Sequence, residues 1–266
     1  MKPLSEGAEL APGYEVVSHL ARGRSLDVYE VWSEERHCLC IGKTLRPEKR
    51  GQQADRRRLR DEGRLLLSLS HPHIVRAYDL VERPHPVLVL ETLSGSTLAH
   101  LIETSRRRLG VADLAHLGLH LCSALTYLHA KDYLHTDLKP SNVVAESKRA
   151  KVIDFSIARR PGRGKRGMGT RQYMAPEQAR GGVLSEATDV WGLGATLYES
   201  ATGRRPFHDQ EERLKHPQLD GRAAPVRTLR RLPATLAETI DASLEPEPTK
   251  RPALEEIEEN LSEVLE

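Results

Sequence analysis

The 266-residue sequence predicts an α+β protein, with a small antiparallel β-rich lobe at the N-terminus and a larger α-helical lobe after it. Two observations predict this. Apolar residues alternate or cluster in short runs through roughly the first ninety positions, the two-residue period of strands. Beyond position 97 they recur every three to four residues, the period of helices. Between the two regimes lies "SGST", residues 94–97, small and polar and so suited to a hinge. The boundaries that follow are 1–91 for the first lobe, 92–96 for the hinge and 97–266 for the second, all in one domain.

Each element has its own warrant. "YEVVSHLA", "LDVYEVWSEE" and "HCLCIGKTL" set β-formers between charged or Gly-containing turns and predict antiparallel strands. From Asp55 to Leu69 a helix is predicted by Leu59, Leu66 and Leu69 near helical spacing, with "HPHI" ending it through Pro72. "HPVLVLETL" predicts one more strand before the hinge. In "VADLAHLGLHLCSALTYLHA" the stripe Leu114, Leu117, Leu121, Leu125 and Leu128 predicts the central helix of the second lobe. "SEATDVWGLGATLYESATG" predicts a buried helix capped by Gly203, and "PALEEIEENLSEVLE" a third.

Composition narrows the function. Charged residues at 29%, hydrophobics at 38% and a mean hydropathy of -0.51 place the chain with soluble globular proteins. The net charge of +2 is too small to imply a nucleic-acid partner. No apolar run approaches the roughly 20 residues that span a bilayer, and "MKPLSEGAELAPG" lacks the apolar core of a signal peptide. Cys38, Cys40 and Cys122 have neither metal-ligand spacing nor an even count, so buried reduced thiols and a cytoplasmic location are expected.

Phosphoryl transfer asks for metal ions, a positioned nucleophile and a cation on the phosphates. In "HTDLKPSN" an Asp, a Lys two residues on and an Asn five residues on supply those types, and "VIDFS" adds a second Asp. Here the chain resembles the eukaryotic-type protein Ser/Thr kinases, most of all the bacterial members, and the resemblance runs in order over nearly the whole chain. It implies a bilobal protein-kinase-like fold, ATP with Mg²⁺ (Mn²⁺ as a substitute), and a protein substrate. "CIGK" implies Lys43 on the α and β phosphates, paired with Glu62. Leu20, Gly23 and Val28 would contact the nucleotide, as would "VLVLETL" through gatekeeper Leu90 and the backbone of Glu91 and Leu93. In "HTDLKPSN" the resemblance implies Asp137 as the catalytic carboxylate, Lys139 as a phosphate contact and Asn142 as a metal ligand, with Asp154 of "DFS" as the main one. It further implies that His135 and Phe155 pack the core, that Thr170 of "GTRQYMAPEQ" bonds the catalytic loop, that Glu177 pairs with Arg251 of "TKRP", and that Asp189 of "DVWGLG" braces that loop.

The departures matter as much. Of the glycines in G-x-G-x-x-G, "ARGRSLDVY" keeps Gly23 alone, with Ala21 and Leu26 at the flanking positions, which implies weaker nucleotide binding. Ser156 replaces the Gly of the metal-binding triplet and should restrict the swing of Asp154. Thr136 stands where many relatives carry an Arg whose charge a loop phosphate must meet. "IARRPGRGKRGMG", residues 157–169, offers no hydroxyl to phosphorylate, so activity independent of such phosphorylation is expected. From Phe155 to Pro176 there is no acidic residue, while Arg159, Arg160, Arg163, Lys165, Arg166 and Arg171 are basic; either a solvated loop or a surface for an acidic protein partner follows. Two other readings stand beside the kinase: a pseudokinase serving as a nucleotide-binding scaffold, and a small-molecule phosphotransferase of related fold.

Overall fold

Alternating β-formers need a sheet with one face covered, and the first part of the chain supplies both. A computed structural model describes residues 2–105, 108–208 and 214–266. Strands β1 (Glu9–Ala11), β2 (Tyr14–Arg22), β3 (Leu26–Ser33), β4 (Cys38–Leu45), β5 (Ala77–Val81) and β6 (Val87–Glu91) form one antiparallel sheet in the order β1-β2-β3-β4-β6-β5. Its covered residues include Tyr14, Val16, Tyr29, Val31, Cys40, Val87 and Val89, which alternate along their strands as the two-residue period requires. Helix α1 (Gln53–Leu67) packs on β4, β5 and β6 through Leu59, Glu62, Leu65 and Leu66. It begins and ends two residues earlier than the sequence predicts. The Ser68 hydroxyl donates to the Leu65 carbonyl at 2.6 Å, and Leu69 is buried just past the helix end.

The chain divides into two compact units, residues 1–94 and residues 95–266. The second opens with β7 (Ser96–Thr97), whose Thr97 hydroxyl caps α2 (Leu98–Thr104) by accepting from the His100 N–H at 3.2 Å. After α3 (Val111–His129) come β8 (Val143–Glu146) and β9 (Arg149–Val152), which with β7 make a three-stranded sheet. Next are β10 (Gly162–Arg163), α4 (Pro176–Arg180) and β11 (Val183–Leu184), with β10 and β11 paired antiparallel. Helices α5 (Glu186–Thr202), α6 (Ala234–Ser243) and α7 (Leu254–Glu263) complete the unit. Gly203, at φ 71°, closes α5 in the left-handed conformation that glycine takes without a Cβ penalty.

The central helix bears on the expectation that no apolar run spans a bilayer. At 19 residues and a mean hydropathy of 1.2, Val111–His129 is by length and composition apolar enough to cross a membrane. In the fold, Leu114, Leu117, Leu121, Leu125 and Leu128 are instead buried, and α3 packs on α5, α7 and β9. Polar His116, His120, Ser123 and Thr126 dilute the apolar run and hid its total from the sequence reading. The thiols behave as buried hydrophobes: all three cysteines are free, burial pushes Cys40 up to about 11 and drives Cys122 higher still, and only Cys38 is partly open.

Gly95 sits where β7 meets β8, and a Cβ there would fall 2.0 Å from the Ala145 carbonyl oxygen. Backbone cannot yield as a side chain can, so Gly95→Ala should cost roughly 1–3 kcal/mol. Thermal unfolding should show a Tm lower by about 3–10 °C.

Candidate active site

In the first unit the antiparallel register places an ammonium on the sheet and a carboxylate on the helix. Lys43 in β4 lies opposite Val28 of β3 and Leu88 of β6. Its Nζ donates to Glu62 Oε1 of α1 at 2.7 Å, with Glu62 buried. Such a pair holds the ammonium in place through a charge-assisted bond in a partly desolvated setting. Leu90 is buried in β6, and Glu91, which ends that strand, exchanges bonds with Arg76. Leu93 follows, half-buried, and Leu20 near the end of β2 is 52% exposed.

The β2–β3 hairpin is tighter than its missing glycines suggest. Gly23 N–H donates to the Leu26 carbonyl at 2.8 Å, so one amide of the loop is spent inside the turn. Asp27, 1% exposed, receives both arms of Arg22: Nε to Oδ1 at 2.7 Å and Nη2 to Oδ2 at 2.9 Å. His19 Nε2 lies 3.2 Å from the same Oδ1. The Arg22 bond holds the Asp27 carboxyl below the usual carboxylate range, against a burial penalty that acts the other way. A bidentate pair across the loop thus supplies the rigidity that the hairpin's composition does not show. Sequence reading missed it; an Arg and an Asp flanking a Gly-containing turn were the available signal.

In the second unit the segment from His135 to Asn142 converges on one carboxylate. Asp137 Oδ1 accepts the Thr170 N–H at 2.7 Å, while Oδ2 receives Lys139 Nζ at 2.6 Å and Asn142 Nδ2 at 3.3 Å. Lys139 Nζ also meets the Thr170 hydroxyl at 2.5 Å, and Asn142 Nδ2 the Asp137 carbonyl at 3.0 Å. The Asn142 carbonyl accepts the Ile153 N–H at 2.8 Å, which sets Asp154 at the far end of the same short ladder. Asp154 has φ 63°, and its Oδ1 accepts the Ser156 N–H at 3.3 Å. Phe155 is buried edge-on against the ring of His135, with centroids 4.8 Å apart. His135 Nδ1 accepts the Asp137 N–H at 3.2 Å, so its proton sits on Nε2 and the ring works as packing and as a loop prop.

Thr136 carries the most strained backbone of the loop. A β-branched residue at φ 63° is a steric outlier. Three bonds compensate. Its N–H donates to Asp189 Oδ1 at 2.7 Å, its carbonyl accepts from Gln178 Nε2 at 2.8 Å, and its hydroxyl donates to the Ile157 carbonyl at 2.9 Å. Asp189, in the first turn of α5, also accepts the His135 N–H at 2.8 Å and lies 2.9 Å from His129 Nε2. The segment beyond is tied at further points. Leu134 and Arg159 exchange backbone bonds at 2.7 and 2.9 Å, Gly164 N–H reaches the Gly182 carbonyl at 2.8 Å, and Gly167 N–H the Gln178 carbonyl at 2.9 Å.

Glu177 and Arg251 form a buried two-armed pair at 2.8 and 2.9 Å. Arg251 also donates to the carbonyls of Glu245, Ala187 and Pro246 and lies 5.0 Å over the Trp191 ring, so its guanidinium is satisfied all round.

Sequence comparison identifies the family. The family description that matches the chain is "Protein kinase domain", over residues 14–261. The chain belongs to the protein kinase family. It is 34% identical over 217 residues to a probable serine/threonine-protein kinase, SCO3848 of Streptomyces coelicolor, covering 77% of this chain and 32% of that protein. To the serine/threonine-protein kinase PknB of Mycobacterium tuberculosis it is 32% identical over 218 residues, 75% of this chain and 34% of PknB. The chain thus spans about a third of the length of these relatives. The crystal structure of a mutant PknI kinase domain from Mycobacterium tuberculosis matches the fold over 100% of both chains, with a TM-score of 0.79 at 24% identity.

Three outcomes are expected. Because the folded pKa of Asp27 lies below its unfolded value, the hairpin pair stabilises at neutral pH and is lost as pH falls below about 4. Asp27→Asn should destabilise by about 1–3 kcal/mol at pH 7, and the stability curves of the two proteins should converge on acidification. Arg251→Ala strands a buried carboxylate and should cost about 3–5 kcal/mol in chemical denaturation. Thr136→Val keeps the shape but leaves the Ile157 carbonyl without its donor, so hydrogen exchange should quicken across residues 157–170.

Proposed function

We propose that the chain is an ATP- and Mg²⁺-dependent protein Ser/Thr kinase whose activity does not require phosphorylation of the segment between Asp154 and Glu177. The observation that carries this reading is the Asp137 carboxylate, fixed by the Thr170 N–H, Lys139 and Asn142 while that segment is tied down by neutral hydrogen bonds. A charge at position 136 would call for a phosphate; a hydroxyl satisfied by a carbonyl does not.

Within that reading the roles divide by atom. Asp137 Oδ1 is committed to the backbone of Thr170, whereas the contacts on Oδ2 come from side chains that can exchange. Oδ2 is therefore the oxygen that orients the substrate hydroxyl and takes its proton. Lys139, with three donors, moves between Oδ2 and transferring phosphate oxygens. Lys43, held by Glu62, serves the α and β phosphates, and Leu20, Gly23, Val28, Leu90 and the backbone of Glu91 and Leu93 serve the rest of the nucleotide. The donor set fits Mg²⁺. With its NH₂ engaged, Asn142 offers Oδ1, Asp154 offers a carboxylate, and both are hard oxygens. Among the described residues no cluster of three or more His, Cys, Asp or Glu could hold a metal alone, as suits an ion whose remaining ligands are phosphates and waters. Bound there, the ion would neutralise charge on the phosphates. His135, Phe155, Asp189, Thr170, Glu177 and Arg251 keep the loop and its platform in shape, and the basic segment suits a protein substrate that is acidic where it faces Arg163 to Arg171.

A second reading, a nucleotide-binding scaffold without transfer, draws on the Gly23 amide spent on Leu26 and on the bulk at Ala21 and Leu26. Radiolabel transfer from ATP with Mg²⁺ separates the two. Label should pass to the protein itself or to a generic acceptor protein, and Asp137→Asn should cut the rate by about 10²- to 10⁴-fold. No transfer by wild type, together with a higher Tm on adding ATP, would establish the scaffold instead. Phosphosite mapping should find transfer competence in protein that carries no phosphate on Thr170.

A further inference from the structure

We propose that Arg166, Arg171, Lys215 and His216 form a recognition site for one anionic side chain of the protein substrate, a carboxylate or a phosphate group borne close to the acceptor hydroxyl. The proposal rests on the kinase reading and deepens it, turning a general basic segment into a defined site.

The cations between Phe155 and Pro176 are not equivalent. Arg160 pairs with Asp132 and lies 5.2 Å over the Tyr133 ring, so its charge is met. Arg159 spends its guanidinium on the carbonyls of Arg160 and Arg163 at 3.1 and 2.9 Å. Arg166 and Arg171, by contrast, have no carboxylate within ion-pair distance among the described residues, and neither does Lys215. These three are brought together. Gln218 Nε2 donates to the carbonyls of Arg171 and Met174 at 3.2 and 3.1 Å, which docks the turn Pro217–Leu219 on the segment. Lys215 and His216 immediately precede that turn.

His216 reports the field that results. Burial lowers its pKa first, and the charges of Lys215, Arg166 and Arg171 lower it further. All three cations therefore lie close enough to act on one ring. Its Nδ1 is shut off from solvent and has no hydrogen-bond partner among the described residues. Like charges crowded beside a half-buried imidazole repel one another, and an anion relieves that repulsion.

The backbone of the site is tied down and lies near Asp137. The Arg166 backbone packs on Gly181, where a Cβ would fall 3.0–3.1 Å from it, and the next residue bonds the Gln178 carbonyl. Arg171 directly follows Thr170, whose N–H holds Asp137 Oδ1 at 2.7 Å. Planar guanidinium groups match carboxylate and phosphate oxygens two at a time.

The test compares peptides that share one acceptor Ser and differ only in a flanking residue: Asp or Glu, phosphoserine, or Asn. Wild type should show kcat/KM about 10- to 100-fold higher for the acidic or phosphorylated peptide than for the neutral one. Which of the two is preferred separates carboxylate from phosphate recognition. In the triple variant Arg166→Ala, Arg171→Ala, Lys215→Ala the ratio should collapse towards one, and about 0.5 M salt should do the same to wild type. Arg171→Gln, a milder change, guards against loss of folding and should lower the ratio in the same direction. A wild-type ratio near one, or a ratio that the variants leave intact, overturns the site. Fluorescence anisotropy of an acidic peptide lacking the acceptor hydroxyl keeps the two readings apart. Salt-sensitive binding that the triple variant loses, with no phosphate transfer to any peptide, would overturn the kinase and uphold the site. Transfer without such binding would do the reverse.

Discussion

One buried carboxylate organises the second unit. Asp189, 1% exposed in the first turn of α5, accepts the backbone N–H groups of His135 and Thr136 and sits against His129. Its place near a helix N-terminus favours the negative charge, and the two backbone amides would otherwise be orphaned in the interior. Because those bonds fix Thr136 in a left-handed conformation, they also fix the direction in which Asp137 leaves the core. The geometry of the Asp137 carboxylate on its loop is thus inherited from a helix.

A second constraint is how the long segment after Asp154 is kept in order. Regulated members of such folds use a phosphate to bridge cations that would otherwise repel. Here neutral bonds do the tethering: a threonine hydroxyl on Ile157, a two-residue ribbon of β10 and β11, and Gln178 reaching both Thr136 and Met168. Of the basic side chains, Arg159 adds to the tethering through the carbonyls of Arg160 and Arg163 and Arg160 pairs with Asp132, while Arg166 and Arg171 have no ion-pair partner among the described residues.

Much of this was legible because the informative residues recur in a fixed order. Lys43 meets Glu62 in the first unit, and Asp137 meets Lys139, Asn142 and Thr170 in the second, all of them residues that the resemblance singled out. The leucine stripe gave the central helix almost to the residue. What stayed hidden lacked a local signal. The β8–β9 hairpin turns on Ser147 and Lys148 at φ 47° and 64°, where a sequence reader looks for Asn-Gly. The Arg22–Asp27 pair looks like two surface charges until the hairpin closes and Asp27 turns inward. Thr136 registers in the sequence as a missing charge, and its three compensating bonds come from residues 21 to 53 positions away.

The apolar helix α3 has a consequence for how the chain is made. Gly118 packs where a Cβ would fall 2.4 Å from Leu261 of α7, so the cover for one face of α3 lies 143 residues downstream. At the pace of synthesis, about 5–20 residues per second, Leu261 follows Gly118 by roughly 7–30 s, whereas Leu197 of α5, which packs at the same spot, comes earlier. A helix with membrane-like hydropathy thus owes part of its concealment to a partner made well after it, and α7 is the element that supplies that part.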